Sequence, residues 1–146
     1  MPRIKILAVG KIKDNWILEG IEEYLKRMRN KRIKVIEIKD SNKQKEGKEI
    51  LNKLKKLQGY LTIGLDEHGK ELTSLEFSEF IKKNITRDIC FIIGDPDGLD
   101  KSVLDKVDHK LALSRMTFTH EMVRLFLVEQ LYRAFSIIER KKYHRD

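Results

Sequence analysis

The sequence is poor in cysteine and proline and contains no long hydrophobic run. Cys90 is the only cysteine, which excludes an internal disulfide framework and a zinc site built from cysteine pairs. No apolar stretch approaches the roughly 18 residues that cross a bilayer. The first ten residues alternate charged and apolar side chains, unlike a secretory signal. We therefore expect a soluble, cytoplasmic protein without a membrane segment.

Three common chemical signatures are missing as well. Gly10 closes the first predicted strand but is followed by Lys11, so the GxGxxG pattern of dinucleotide-binding folds is absent, and no Walker A pattern occurs. No histidine is followed by another three or four residues later, so the sequence does not indicate a helical zinc site, and we expect no metal. Cys90 lies in an apolar run, which favours an inert core thiol over a nucleophile.

Positive charge is abundant and unevenly distributed. Residues 1–60 contain 17 basic and 8 acidic residues, residues 61–136 contain 10 and 13, and the last ten contain 4 and 2. Basic surfaces attract phosphate backbones, so nucleic acid is a candidate partner; a lysine-rich solvated surface is the alternative. The length of 146 residues fits one domain, residues 1–146, and the 40% hydrophobic content fits a globular fold.

Apolar periodicity predicts strands that alternate with helices. The predicted strands are Ile4–Val9, Ile33–Ile38, Tyr60–Leu65, Ile89–Gly94 and Lys110–Leu113. The predicted helices are Asp14–Arg29, Ile50–Leu57, a segment from the capping box at Thr73 to Asn84, Val103–Val107 and Glu121–Ile138. Polar residues 40–48 predict a mobile loop, and residues 68–70 predict a turn. The alternation predicts an α/β fold with a mostly parallel sheet and helices on both faces.

The last predicted helix is apolar around most of its circumference. A helix of this kind must be buried on more than one side. In an α/β fold of this size, a partner subunit can cover the second side, which would make the protein a homodimer. The alternative is that the helix lies at the centre of the core of its own chain.

Two loops that follow predicted strands can form one ligand pocket. Residues 94–98, Gly-Asp-Pro-Asp-Gly, directly follow the apolar strand, and ligands of open α/β sheets bind beyond the carboxyl ends of strands. Glycine there lets the backbone approach a ligand, although proline and glycine also form ordinary turns. Residues 113–118 offer backbone amides, hydroxyls and an apolar wall that suits an adenine-like ring.

The carboxy-terminal tail is a third candidate. Residues 139–146 are basic and include Tyr143 and His144, a combination that can hold phosphate and stack on a base. A frayed, solvated terminus is the alternative.

Taken together, these motifs resemble the ribosomal RNA large subunit methyltransferase H family over essentially the whole chain, most specifically in the last third. The motifs are Ile4–Gly10, Ile93-Gly94-x-Pro96-x-Gly98-Leu99, Leu113-Ser114-x-Met116-Thr117-Phe118-x-His120, Val123-Arg124, Glu129-Gln130-Leu131-Tyr132-Arg133-Ala134 and Tyr143-His144. The resemblance implies a SPOUT-class fold with a C-terminal trefoil knot and a homodimer. It also implies transfer of a methyl group from S-adenosylmethionine to N3 of a pseudouridine in large-subunit (23S) ribosomal RNA, in the assembled ribosome.

The resemblance also implies the cofactor contacts. The family's cofactor-binding positions fall on Leu65, Gly94, Leu113, Ser114, Arg115, Met116, Thr117 and Phe118. Two residues depart from the family pattern: Asp95 stands where a second glycine is common, and Thr119 stands where a proline is usual. Asp95 adds charge beside the pocket and either meets the cofactor or water, and Thr119 is expected to loosen the entry to the last helix.

Methyl transfer to a ring nitrogen also requires that a proton leaves. His144 is a candidate base because its unperturbed pKa lies at about 6.5. Arg124, Arg133 and Arg145 are candidates to hold phosphate or to stabilise a developing oxyanion. Tyr143 either stacks on the base or packs, and His120 is either structural or a further candidate. Two other functions stay open: a non-catalytic basic RNA- or ribosome-binding module, and a small-molecule α/β enzyme.

Overall fold

A computed structural model describes residues 2–145, and strands and helices alternate along it. The strands are β1 (Ile4–Val9), β2 (Ile33–Ile38), β3 (Leu61–Glu71), β4 (Ile89–Ile93) and β5 (His109–Ala112). The helices are α1 (Asn15–Arg27), α2 (Lys43–Lys55), α3 (Ser74–Lys83), α4 (Lys101–Leu104) and α5 (His120–Ile138), with a 3-10 turn at Arg29–Lys31. Most predicted elements are thus confirmed, with α4 beginning two residues earlier than predicted because the Asp100 carboxylate accepts a hydrogen bond from the Ser102 amide.

The strands form one sheet in the order β2-β1-β4-β3-β5, and every pairing is parallel. Strand β4 is central and all five of its residues are buried, which confirms the prediction from its continuous apolar run. Consequently the carboxyl ends of β1, β4, β3 and β5 lie side by side at one edge of the sheet.

Helices cover both faces of the sheet, as predicted. On one face, α1, α3 and α5 pack over a core that contains Ile6, Phe91 and Leu127. On the other face, α2 and α4 pack over a second core that contains Leu7, Ile50 and Val103. Alternate residues of β1 therefore belong to different cores, as expected for a strand between two helical layers.

The prediction of a mobile loop over residues 40–48 is wrong. Helix α2 begins at Lys43, and the Asn42 side chain caps it by accepting a hydrogen bond of 2.9 Å from the Lys45 amide. Glu46 in its first turn and the following residue, Gly47, are buried against the rest of the chain. The polar composition of the segment reflects the solvent side of this helix.

The predicted turn at residues 68–70 is also wrong, because β3 continues to Glu71. Its extension pairs with β5 after an irregularity between Leu65 and Lys70. A Cβ at Gly69 would lie 2.7 Å from the backbone of Lys110, so glycine is what allows the two strands to approach at that point.

Helix α5 lies at the centre of its layer, between α1 and α3. Leu127, Val128 and Leu131 are fully buried within the chain, whereas Phe126 on the outer side is half-buried. The central core position therefore accounts for much of the helix's apolar circumference, and the homodimer stays a prediction. Within residues 2–145, no helix is both long and apolar enough to cross a membrane.

Candidate cofactor cleft and tail cluster

A cleft of about 370 Å³ opens at the carboxyl ends of β3, β4 and β5. Its size lies in the usual range for small-ligand sites. It is bounded by the loop after β4, the segment after β5 and the first turn of α5. Of the eight residues predicted to contact a cofactor, seven line this cleft: Leu65, Gly94, Leu113, Ser114, Met116, Thr117 and Phe118. Arg115 lies outside the lining.

The loop of residues 94–98 folds tightly back on itself. A Cβ at Gly94 would lie 2.7 Å from the carbonyl carbon and oxygen of Gly98, so no larger residue fits without moving backbone. Gly98 has φ +88°, a conformation that favours glycine. The backbone amide of Gly98 donates to the Asp95 carbonyl at 2.8 Å, and the Asp97 amide donates to Oδ1 of Asp95 at 2.7 Å.

The segment of residues 113–118 forms the opposite side of the cleft. Ser114 Oγ accepts a hydrogen bond of 2.9 Å from the Met116 amide, which turns the chain. Met116 is 75% exposed at the rim, and Phe118 packs edge-on against Phe126 with ring centroids 5.0 Å apart. The cleft therefore has an apolar wall and exposed polar backbone, which suits a ligand with a flat ring and a polar chain.

The cleft is acidic although the protein as a whole is basic. Among the described residues that line it, four are acidic: Asp66, Glu67, Asp95 and Asp97. Lys43, from the first turn of α2, is the one lysine or arginine of that lining. Their combined charge favours a cationic ligand over an anionic one.

Sequence reasoning missed part of this lining. Asp66, Glu67 and His68 enter the rim because β3 continues through the predicted turn, and Glu67 Oε2 accepts a bond of 3.5 Å from Thr117 Oγ1. Lys43 enters it because α2 begins where a mobile loop was expected. Asn42, which caps α2, was the local signal from which the start of this helix at Lys43 could have been predicted.

The entry to α5 is tighter than predicted. Thr119 caps the helix, because its hydroxyl accepts a hydrogen bond of 3.3 Å from the Met122 amide. The expectation that Thr119 loosens this entry is therefore wrong. His120 lies beside the turn after β1, with its Nε2 3.9 Å from the position of a Cβ on Gly10, and it also lines the cleft.

Arg124, a candidate from the sequence for phosphate or oxyanion binding, lies in the interior. It is 3% exposed, and its guanidinium donates to Glu37 at 2.6 Å and to the Gly10 carbonyl at 3.0 Å. These bonds fix α5 to the carboxyl end of β1 and to β2. In this arrangement Arg124 supports the edge of the sheet and presents no guanidinium to a phosphate at the surface.

The tail folds back onto α5 and α1 in a group that we term the tail cluster: Tyr24, Glu129, Arg133, Tyr143 and His144. The Tyr143 hydroxyl donates to Glu129 at 2.7 Å and lies 3.2 Å from the Tyr24 hydroxyl. Arg133 donates to Glu129 at 2.7 Å, lies over the Tyr143 ring and is 3.1 Å from Nδ1 of His144. Burial and the bonds to Tyr24 and Glu129 raise the pKa of Tyr143, so the phenol stays protonated.

The tail cluster and the cleft lie at different places along α5. Val123 lines the cleft, whereas Arg133 belongs to the tail cluster. Ten residues of α-helix separate them, a rise of about 15 Å. Arg145 is exposed, and Asp146 lies outside the described residues. Within one chain, then, the predicted cofactor residues and the predicted tail residues do not meet.

The remaining candidates for chemistry are the single thiol and a metal site. Cys90 is fully buried, and this burial raises the pKa of its thiol to about 12, which leaves it protonated. In the described part of the chain, no three His, Cys, Asp or Glu residues are grouped in a way that could hold a metal ion.

Comparisons with known proteins agree with this architecture. A family model described as "Predicted SPOUT methyltransferase" matches residues 2–144. The chain is 41% identical over 144 residues to the Ribosomal RNA large subunit methyltransferase H of Prochlorococcus marinus, covering 99% of this chain and 97% of that protein. It is 43% identical over 159 aligned positions to the protein of the same name from Carboxydothermus hydrogenoformans, covering 97% and 99%.

A solved structure shares the fold at low sequence identity. The SpoU methyltransferase AviRb from Streptomyces viridochromogenes, solved in complex with the cofactor AdoMet, superposes with a TM-score of 0.52 at 11% identity. The match covers 93% of this chain and 58% of that one.

Proposed function

The chain belongs to the ribosomal RNA large subunit methyltransferase H family of SPOUT methyltransferases, and on that basis we propose that it is an enzyme that methylates large-subunit ribosomal RNA. Its methyl donor is S-adenosylmethionine, and its target is N3 of a pseudouridine in 23S ribosomal RNA. The enzyme acts in the cytoplasm on the assembled ribosome, with residues 1–146 as one domain.

The observation that carries this proposal is the cleft at the carboxyl ends of β3, β4 and β5. A binding module without catalysis has no need of a cleft of about 370 Å³ that unites a tight glycine loop with an apolar wall. Leu65, Leu113 and Phe118 supply apolar surface for the adenine ring, and the close return of the loop at Gly94 brings backbone groups to the cleft.

The charge of the cleft also fits this cofactor. S-adenosylmethionine carries a sulfonium, an ammonium group and one carboxylate, so its net charge is positive, and the lining carboxylates Asp66, Glu67, Asp95 and Asp97 favour positive charge. The same carboxylates disfavour the phosphates of RNA, which leaves the RNA to the basic surfaces outside the cleft.

When bound, the cofactor supplies an electrophilic methyl group, so the protein needs no covalent nucleophile. The residues of the chain position the two reactants and deal with the N3 proton. We assign the RNA-side roles to the tail: His144 as the base, Arg145 as a phosphate or oxyanion contact and Tyr143 as a support for the target base. Arg124 acts indirectly, by holding the start of α5 against β1 through Gly10.

Because the tail cluster lies about 15 Å along α5 from the cleft, we propose that the active site is completed by a second copy of the chain. In such a homodimer, the tail of one protomer faces the cleft of the other. The half-buried outer side of α5, which includes Phe126, is the candidate contact surface.

We also propose the trefoil knot of the SPOUT class for the C-terminal part. It is supported by the path of residues 113–119. This segment leaves β5 at the edge of the sheet and reaches His120 beside Gly10, at the end of β1. It therefore crosses the carboxyl ends of β3 and β4, next to the tight loop of residues 94–98.

The test is mass spectrometry of 23S ribosomal RNA from cells with and without the gene. We expect one pseudouridine-containing fragment to lose a single methyl group in the deletion strain. Purified protein and S-adenosylmethionine should restore that methyl group on ribosomes from the same strain. Identical fragments in the two strains, together with no transfer in the purified reaction, would refute the proposal.

A further inference from the structure

A buried carboxyl pair lies behind the cleft. Glu46, in the first turn of α2, is 3% exposed, and its Oε2 accepts a hydrogen bond of 2.7 Å from the Ser41 amide. Its carboxyl group lies within hydrogen-bonding reach of the carboxyl group of Asp95. Asp95 lines the cleft, whereas Glu46 does not. The pair thus joins the interior of the protein to the cofactor loop.

Two carboxyl groups can form a hydrogen bond only when one of them carries a proton. Glu46 is the one that retains it, because burial, the bond to Asp95 and the charges of Asp95 and Asp40 raise its pKa to about 7, against the opposing effect of the Ser41 amide. Two other charged groups lie nearby along the chain or in space: Lys43, three residues earlier on α2, and Asp100, which packs beside Gly47. Below neutral pH, then, Glu46 donates and Asp95 accepts.

The first turn of α2 is well placed to hold the loop. A Cβ at Gly47 would lie 3.0 Å from the Cβ of Asp100, so the helix closely approaches the segment that follows the loop by two residues. Asp95 in turn fixes the interior of the loop, since its Oδ1 accepts from the Asp97 amide and its carbonyl accepts from the Gly98 amide. A restraint on the Asp95 side chain is therefore transmitted to residues 95–98.

We propose that Glu46 is a positioning residue of the methyl-donor site: it donates a hydrogen bond to Asp95 and thereby holds the loop of residues 94–98 in the conformation that binds the cofactor. Glu46 acts through Asp95 and does not touch the cofactor itself. The identity of the ligand rests on the proposed function; the restraint on the loop does not.

Loss of the shared proton has a defined consequence. Above neutral pH both carboxyl groups are ionised, the hydrogen bond is replaced by repulsion, and the loop is released. If only the protonated pair holds the loop, the apparent Kd rises by a factor of about ten between pH 6 and pH 8 for a group that titrates near 7. The added negative charge attracts a cationic ligand and alone would change Kd in the opposite direction.

The experiment is calorimetric titration with S-adenosylmethionine between pH 6 and pH 8, on the wild type, Glu46→Gln and Glu46→Ala. Glutamine keeps a donor towards Asp95 but cannot lose it, so we expect its Kd to stay near the wild-type value at pH 6 across the range. Alanine should bind weakly at both pH values. Glu49→Gln, an exposed position on the same helix, is the matched control and should follow the wild type.

Hydrogen exchange without ligand separates the failure of this inference from that of the proposed function. We expect the protection of the Asp97 and Gly98 amides, corrected for intrinsic exchange, to fall from pH 6 to pH 8 in the wild type and to stay constant in Glu46→Gln. If no variant binds S-adenosylmethionine at any pH, the proposed function fails, and the exchange data still decide the role of Glu46. Equal protection in the wild type and Glu46→Ala at both pH values would overturn the inference.

Discussion

Substitution of Gly94 by alanine tests whether the tight return of the loop forms the cofactor site. An added Cβ would lie 2.7 Å from two backbone atoms of Gly98 and 3.0 Å from the amide nitrogen of Leu99. Ordinary contacts begin near 3.4 Å, and the obstructing atoms are backbone rather than flexible side chain. The two limbs of the loop must therefore move apart before an alanine fits. The clash is internal to the loop and exists before any ligand binds.

The size of the effect follows from this geometry. Overpacking of a well-packed site typically costs about 1–3 kcal/mol of stability. A displacement approaching 1 Å in a positioning element can cost up to about a hundredfold in function. We therefore expect Gly94→Ala to lower the free energy of unfolding by about 1–3 kcal/mol and to weaken S-adenosylmethionine binding at least about tenfold, which corresponds to about 1.4 kcal/mol.

Two other glycines provide matched controls. Gly59 and Gly98 have nearly the same φ, +89° and +88°, and neither has an atom within 4 Å of an added Cβ. Alanine should cost each about 1–2 kcal/mol of backbone strain. Gly59 lies after α2, outside the cleft lining, so Gly59→Ala should be destabilised without loss of affinity. Gly98→Ala places the same strain within the loop and should lose both stability and cofactor affinity.

The assay is urea unfolding for stability, combined with calorimetric titration for affinity. Gly94→Ala with wild-type affinity would refute the reasoning, because the tight return would then be unnecessary for binding. Gly59→Ala with an equal loss of affinity would also refute it, since the effect would then reflect general destabilisation.

Two further predictions concern the tail and α5. Deleting residues 143–146 removes the bonds of Tyr143 to Glu129 and Tyr24, so we expect the free energy of unfolding in urea to fall by about 1–2 kcal/mol. Cofactor affinity measured by calorimetry should stay nearly unchanged, whereas single-turnover methyl transfer to ribosomes should collapse. Full transfer by the truncated protein would exclude the tail from the active site. Phe126→Glu should give a folded monomer in light scattering at micromolar concentration, whereas Leu127→Glu should unfold the chain because Leu127 is fully buried in its own core; a monomeric wild type would contradict the first expectation.

The elements that local patterns determine were predictable from the sequence. The apolar run of β4 is typical of a strand buried on both faces, and Thr73 and Glu76 form the capping box at the start of α3. The meeting of the two loops at the strand ends was also predictable, because the carboxyl ends of parallel strands lie at one edge of the sheet.

The remainder depends on contacts between distant segments. Helix α2 starts early because Asn42 caps it and because Glu46 and Gly47 are buried in its first five residues. Asn42 was a local signal for this start, whereas the packing of Gly47 against Asp100 cannot be read from residues 40–48. Strand β3 continues because β5 pairs with it. The sequence around Arg124 does not distinguish it from an arginine that binds phosphate. Only the tertiary structure directs its guanidinium to Glu37 and Gly10.

The acidic lining of the cleft also bears on turnover. In the proposed reaction the sulfonium becomes a neutral thioether, so the departing by-product carries one positive charge fewer than the donor. The carboxylates of Asp66, Glu67, Asp95 and Asp97 then attract it less strongly, while the apolar wall contacts both forms alike. A fresh donor molecule thus has an electrostatic advantage over the spent one, and this difference limits product inhibition without any movement of the protein.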